Sequence, residues 1–413
     1  MDKADFYRQA RQDLPGPLAG LRVLEATTTW AGPMCACILA DFGADVIKVE
    51  LPDGEVIRRM PPFLPDTTPP LSFGHATVNR NKRGLSLDLR TPEGRDLFLR
   101  FASRSDIVVE NFRPGTMQKW GIGYTAVCAV KPDIIYVSIT GFGQFGPAHD
   151  RPGYDPLAQA ASGFISLNGE ASGNPVKAGT AIADDLGGVH GALATLAAVY
   201  HHRRTGEGQH VDVALLDSLL FQSNGFLTLG ALGLPLPRWG NEYPFAVPAN
   251  IFMCKDGRVY LALLLDAHWK VLAQLMGRTE LAEDPEYFIL ANRLRRRDEI
   301  NALVAHWCST RLVDEVVSLL TNEGISVAPV RTYTEAANDP HVRARDMLQA
   351  TTQFGHPALP VTGPAAKFSR TPTRVRMGAP MLGAHDEEIL LEFGLLTAEI
   401  DQLRRKKVIA QNH

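Results

Sequence analysis

The first half of the chain alternates short apolar runs with longer helical ones, and this alternation restricts the fold more than any other feature. Leu21-Arg-Val-Leu-Glu-Ala26 reads as a strand. Pro33 stands in the first turn of an apolar helix that stops near Gly43, and Asp45-Val-Ile-Lys-Val-Glu50 is the next strand. The unit repeats: Gly84 to Leu89 reads as a strand, Thr91-Pro92 opens a helix as cap and first residue, and Asp106 to Asn111 follows as a strand. A further helix leads to the strand Asp133 to Thr140. Strands separated by helices pair in parallel through right-handed crossovers, so the spacing predicts an α/β fold with a doubly wound sheet. Asp184 to Arg204 reads as one long helix stopped by Thr205-Gly-Glu-Gly208, followed by a short strand at Val211 and a helical run from Leu215 to about Leu234.

Turn chemistry from Leu234 to Asn241 ends that pattern. Lys255-Asp-Gly257 between two apolar runs is a hairpin signal, which places a second, smaller α+β domain beyond it. The expected organisation is a large domain over 1–225, a linker over 226–242, a small domain over 243–330, and an extended return to the large domain over 331–413. Within that return, Gly363 to Pro380 reads as extended and the segment from His385 as helical.

Composition narrows the function. Of 413 residues, 45% are hydrophobic and 21% charged, which is globular composition. Forty-two basic against 45 acidic residues leave −3, so no pull toward nucleic acid or an anionic membrane is expected. The longest nearly apolar stretch, Gly191 to Tyr200, is half the ~20 residues that a membrane helix needs. The amino terminus is polar, unlike a secretory signal, and a cytoplasmic location is the expectation. Five scattered cysteines and twelve histidines show no metal-ligand or redox spacing, and Cys35 and Cys37 lie in an apolar helical run as core residues do.

Gly141-Phe-Gly143-Gln-Phe-Gly146 matches the dinucleotide fingerprint, but Pro147 follows where a phosphate-binding helix would have to begin. A nicotinamide or flavin site is therefore not expected. The basic clusters Arg293 to Arg297 and Arg404 to Lys407 adjoin acids, as solvated helical faces do. Asp184-Asp185-Leu-Gly187-Gly188 is more informative. Aspartate is a favoured helix cap, yet only one of the pair can be the cap, and the other carboxylate is available as a covalent nucleophile. The glycines would let a substrate approach the backbone, and their amides with the helix terminus could stabilise an oxyanion.

With these residues in view, the chain resembles the class III CoA-transferase family, which includes formyl-CoA and carnitine CoA-transferases and a homologous α-methylacyl-CoA racemase. The resemblance runs from about Leu18 to the carboxyl end. It is carried by Ala31-Gly-Pro33, Leu39 to Glu50, Asn81-Lys-Arg83, Leu87-Asp-Leu-Arg-Thr-Pro-Glu-Gly94, Val109-Glu-Asn-Phe-Arg-Pro-Gly115, Gly153-Tyr-Asp155, Thr205-Gly-Glu-Gly-Gln209 and Gly383 to Leu390.

The resemblance implies a ping-pong transfer of CoA from an acyl-CoA to a carboxylic acid, without a prosthetic group or metal. CoA itself is the substrate. The nucleophile of such enzymes is an aspartate with glycine four residues on, which Asp184 and Gly188 match. The implied CoA contacts are Trp30 and Ala31, the run Leu87, Asp88, Leu89 and Arg90, then Asn111, Phe112 and Arg113, and finally Lys119 and the segment from Arg151 to Tyr154. Leu51 stands where the family often has an arginine, with Arg58 or Arg59 as substitutes. Trp239 to Pro244 occupies the place of the family's glycine-rich lid, without its glycine run. Related enzymes form interlocked-ring homodimers. The alternative reading is the racemase. There a histidine pairs with the aspartate inside Gly-His-Asp, whereas this chain has Tyr154, whose neutral phenol is a poor base. A nonenzymatic acyl-CoA-binding protein is the third reading.

Overall fold

The computed structural model describes residues 1–353 and 356–411. Its main sheet has six parallel strands: β1 (Arg22–Ala26), β2 (Asp45–Glu50), β3 (Lys82–Ser86), β4 (Ile107–Glu110), β5 (Ile135–Thr140) and β6 (Gln209–Ala214). They lie in the order β3-β2-β1-β4-β5-β6, so the order reverses between β1 and β4. Both faces are covered, and the inner strands β1, β2, β4 and β5 are correspondingly rich in Val, Ile and Leu. On one face, α1 (Ala31–Asp41) and the long α4 (Ile182–Thr205) enclose Val23, Val46, Val109, Val137 and Ile139. On the other face lie α2 (Pro92–Ala102), opened by Thr91 as its cap, and the carboxyl-terminal α9 (Asp386–Glu392) and α10 (Thr397–Arg405).

Three charged residues break the apolar pattern and are buried without exposure: Glu25 on β1, Lys48 on β2 and Lys82 at the start of β3. Glu25 is in register with Lys48. Lys82 Nζ reaches Glu25 Oε2 at 2.8 Å, the Pro33 carbonyl at 2.9 Å and Asn79 Oδ1 at 3.0 Å. Lys48 Nζ lies 3.3 Å from Glu25 and 2.8 Å from Glu55. The sequence expectation put this third strand two residues later, at Gly84. It begins at Lys82 because that ammonium is drawn inward by Glu25.

The chain divides into two compact units. The first comprises Met1–Phe164, Lys177–Leu227 and His341–His413, and the second Ile165–Val176 and Thr228–Pro340. In the second, β7 (Ala249–Met253), β8 (Arg258–Ala262) and β9 (Ser326–Pro329) form an antiparallel sheet. It packs with α6 (Asp266–Leu275), α7 (Arg297–Ser309) and α8 (Val313–Asn322) around Trp269, Ile300, Val304 and Leu320. Segment 165–176 joins this unit because the Arg238 side chain donates to the carbonyls of Glu170 at 3.2 Å and Gly173 at 2.5 Å.

Three sequence expectations are corrected. The run from Leu215 to Leu234 is not one helix: α5 (Leu215–Phe221) ends before Asn224 and Gly225, both left-handed, and a short helix Phe226–Ala231 follows. Arg293 is not on a solvated face. It is fully buried and donates to Asp266 and to the carbonyls of Val247 and Tyr287, so the basic run read as surface includes a core anchor. A hairpin of β10 (Leu348–Gln353) and β11 (His356–Thr362) precedes the irregular return segment, with no turn signal strong enough to reveal it. Among the described residues no helix is long and apolar enough to cross a membrane.

Lys82→Met leaves Glu25 buried with Lys48 as its one remaining lysine. The expected loss is about 3–5 kcal/mol of unfolding free energy, readable by urea denaturation, because an uncompensated buried charge remains.

Candidate active site

The sheet's carboxyl edge gathers the loops in which a doubly wound fold binds ligands, at the β1/β4 reversal. Helix α4, the crossover from β5 to β6, presents its amino terminus at this edge. Its cap position is Ala181, which has no side chain to offer the first-turn amides. Asp155, at the start of α3 (Asp155–Ala161), supplies the cap from outside: its buried carboxylate accepts the Ala183 N–H at 2.7 Å and the Gln159 amide at 2.7 Å. This corrects the reading of Asp184 or Asp185 as the cap; both lie inside the first turns of the helix.

Three aspartates thus converge, in three different conditions. Asp155 is committed to the helix terminus. Asp185 Oδ1 accepts the indole N–H of Trp30 at 2.6 Å. Among the described residues, nothing donates a hydrogen bond to the Asp184 carboxylate. Burial, then the charges of Asp155 and Asp185, push the Asp184 carboxyl up to about 7. Burial raises Asp185 too, and the Trp30 N–H works against that. Raised basicity makes a carboxylate more nucleophilic once it is ionised, and water is the competitor that a half-buried position helps exclude.

The tandem glycines have a different role from the expected one. A Cβ on Gly188 would lie 2.7 Å from Met34 Cγ and 3.0 Å from the Ala31 carbonyl, and one on Gly187 would meet Leu215 at 2.4 Å. They allow α4 to pack against α1 and α5. Both are buried, with their amides inside the helix, so neither amide is free to stabilise an oxyanion.

The predicted CoA contacts fall into two groups. Trp30 and Ala31 follow β1, Asn111 to Arg113 follow β4, and Arg151 to Tyr154 lie in the loop after β5. Structural contacts join these three loops. Asn111 pairs with both backbone groups of Thr28 at 2.8 Å each, and Arg113 donates to the Asp150 carbonyl at 2.8 Å. Gly141 and Gly153 cross so closely that a Cβ on Gly141 would lie 2.4 Å from Gly153 Cα. Tyr154 is 65% exposed. Phe112 packs edge-on to Trp120, and Lys119 is exposed at the end of the short helix Thr116–Lys119.

Leu87 to Arg90 form the second group, beyond edge strand β3. Two strand spacings, about 10 Å, separate β3 from β1. The side chains of Leu87 and Leu89 are core residues, so this run can offer a ligand only backbone groups from those two positions. The exposed Arg90 guanidinium holds Asp88 through two contacts of 2.7 Å. Of the candidate substitutes near Leu51, Arg58 is committed to Glu50 at 2.6 and 2.7 Å, whereas Arg59 is exposed. The fingerprint glycines open no helix: turns follow Gly146 until α3 begins at Asp155.

The contacts at this edge that the sequence did not disclose are the Asp155 cap, the Trp30–Asp185 bond and the Asn111 clamp. Each joins residues far apart in the chain. Asp155 carried one signal, an acid directly after a glycine-aromatic pair at a helix start.

The fold is of the doubly wound α/β type, with a ligand-binding edge at the β1/β4 reversal. The sequence signature of CoA-transferase family III matches residues 18–386, and the chain belongs to that family, as a class III CoA-transferase. It is 38% identical over 389 residues to the succinyl-CoA:mesaconate CoA-transferase of Haloarcula hispanica, covering 92% of this chain and 98% of that protein. The beta subunit of the succinyl-CoA–L-malate CoA-transferase of Chloroflexus aurantiacus is 38% identical over 403 residues, covering 95% and 98%. A crystal structure of a CAIB/BAIF family protein from Brucella suis superposes with a TM-score of 0.83 at 33% identity, covering 92% of this chain and all of that one.

If Asp184 is the attacking group, its carboxyl sets a pH limit. It is ionised above about 7, so kcat/KM for the acyl-CoA is expected to fall below that pH, approaching about tenfold per unit. A pH-rate profile flat from 5 to 8 would contradict a role for Asp184 as the attacking anion.

Proposed function

We propose that the enzyme transfers CoA between an acyl-CoA and a carboxylic acid by a ping-pong route through an aspartyl-CoA thioester on Asp184. The observation that carries this reading is that Asp184 is the free carboxylate among three clustered aspartates, in the first turn of α4. Asp184 attacks the donor carbonyl, expelling CoA thiolate and leaving a mixed anhydride. The thiolate then attacks the aspartyl carbonyl, and the donor acid leaves as its carboxylate. The acceptor carboxylate reverses the sequence and departs as its CoA thioester. The succinyl-CoA-using relatives support a short dicarboxylic acyl-CoA as donor and a dicarboxylic acid as acceptor.

CoA would lie along the carboxyl edge, with its nucleotide end toward Leu87 to Arg90 and Lys119 and its thiol end toward Trp30 and Asp184. Asn111 to Arg113 and Arg151 to Tyr154 would line its course. The exposed Tyr154 offers no base, which speaks against the racemase reading. We place the enzyme in the cytoplasm and assign it a homodimeric assembly. Val189, Leu193 and Tyr200 form an exposed apolar stripe on α4, continued by Phe221, and a second copy is the occupant that such a stripe suits.

Succinyl-CoA supplied without an acceptor should leave a CoA-sized adduct by intact mass spectrometry, mapping between Lys177 and Arg203. Hydroxylamine should convert it to a hydroxamate and inactivate the enzyme only when donor is present, and Asp184→Asn should form none. An adduct on a cysteine would identify a different nucleophile.

Sedimentation velocity at nanomolar concentration should give a dimer that does not dissociate, as an interface well above ~2,000 Å² would require. A monomer at that concentration would refute the assembly.

A further inference from the structure

Three consecutive residues of the β1–α1 turn are tied to three different elements. Thr28 is held through both backbone groups by the Asn111 side chain beyond β4. Thr29 is left-handed, with φ 63°, a strained conformation for a β-branched residue, and its N–H donates to Glu55 Oε2 at 2.7 Å. Trp30 donates its indole N–H to Asp185 at 2.6 Å, while a Cβ on Gly74 would come within 3.4 Å of its ring at Cζ3. Strain of this kind persists only where the surroundings over-determine it, and it concentrates at functional sites. The indole is therefore delivered to Asp185 by a rigid turn.

We propose that Trp30 is a positioning residue: its indole engages Asp185 so that, of two adjacent carboxylates, Asp184 alone is free to attack, and the same bond fixes the nucleophile's helix to the β1–α1 turn. The inference rests on the reading of Asp184 as the nucleophile. Without the indole donor, Asp185 becomes a second unanchored carboxylate one residue away, and the first turn of α4 loses its tie across the crevice. Small misplacements of a reacting group are costly in rate, since the barrier depends on a near-attack geometry.

Three variants of the full chain separate the contributions. Trp30→Phe keeps a ring and loses the donor, Asp185→Asn keeps an acceptor oxygen and loses the charge, and Asp185→Leu loses both. The rate of adduct formation from succinyl-CoA, the donor KM and the pH profile are measured for each. Trp30→Phe and Asp185→Leu are expected to slow adduct formation roughly tenfold or more, with donor KM within about twofold. Asp185→Asn should keep most of the rate and move its acid limb to lower pH. The charges acting on Asp184 are Asp155, from α3, and Asp185, and this variant removes one of them.

Adduct formation at the unmodified rate in Trp30→Phe and Asp185→Leu would overturn the proposal, as would a loss of stability or a rise in donor KM with no change in that rate. If Trp30→Phe does not fold, the contrast between Asp185→Asn and Asp185→Leu makes the same test. An adduct in Asp184→Asn would overturn the nucleophile reading and this proposal with it. An inert Asp184→Asn beside a fully active Trp30→Phe would overturn the proposal alone.

Discussion

Glu25, held between two lysine ammoniums in the middle of an apolar sheet, is the interaction on which the carboxyl edge depends. Each buried ion loses several kcal/mol of hydration, and only excellent geometry and further hydrogen bonds offset that loss. Here Lys82 also reaches a carbonyl and an amide oxygen, and Lys48 also reaches Glu55. The arrangement fixes the register of β1, β2 and β3, since a one-residue slip would set these charges against the opposite apolar face. It also carries order outward. Lys48 holds Glu55, Glu55 holds Thr29, and Thr29 sets the backbone from which Trp30 reaches Asp185.

How far this was legible in the sequence depended on the range of the interaction. Strands and crossover helices were readable because periodicity and helix-start residues such as Thr91-Pro92 act within a few positions. The family was readable because many short motifs occur in order. Lys48, Lys82 and Arg293 were not readable as core, because nothing local distinguishes a buried cation from a surface one until its partners are in place. The cap of α4 was missed for the same reason: its donor and acceptor are 28 positions apart. Gly187 and Gly188 carried a real signal, an absent side chain, but sequence could not say whether a substrate or α1 fills the space.

The site shows how one residue type serves three ends within a small volume. Asp155 accepts two hydrogen bonds, one of them from the amino terminus of α4, and Asp185 accepts one from the Trp30 indole, whereas Asp184 accepts none among the described residues. Burial, then the charges of Asp155 and Asp185, raise the Asp184 carboxyl. That carboxylate sits at a helix amino terminus whose dipole suits developing negative charge.

The crossing of Gly141 and Gly153 has a consequence for how such a site can vary. Each backbone occupies the space in which the other's first side-chain carbon would stand. Neither position can accept even a methyl group unless the two ends of this loop part. Gly153 lies two residues before Asp155, so parting them would move the cap of α4 and Asp184 with it. The loop after β5 is thus mechanically coupled to Asp184. Side chains at the exposed positions Arg151 and Tyr154 can change without disturbing this crossing.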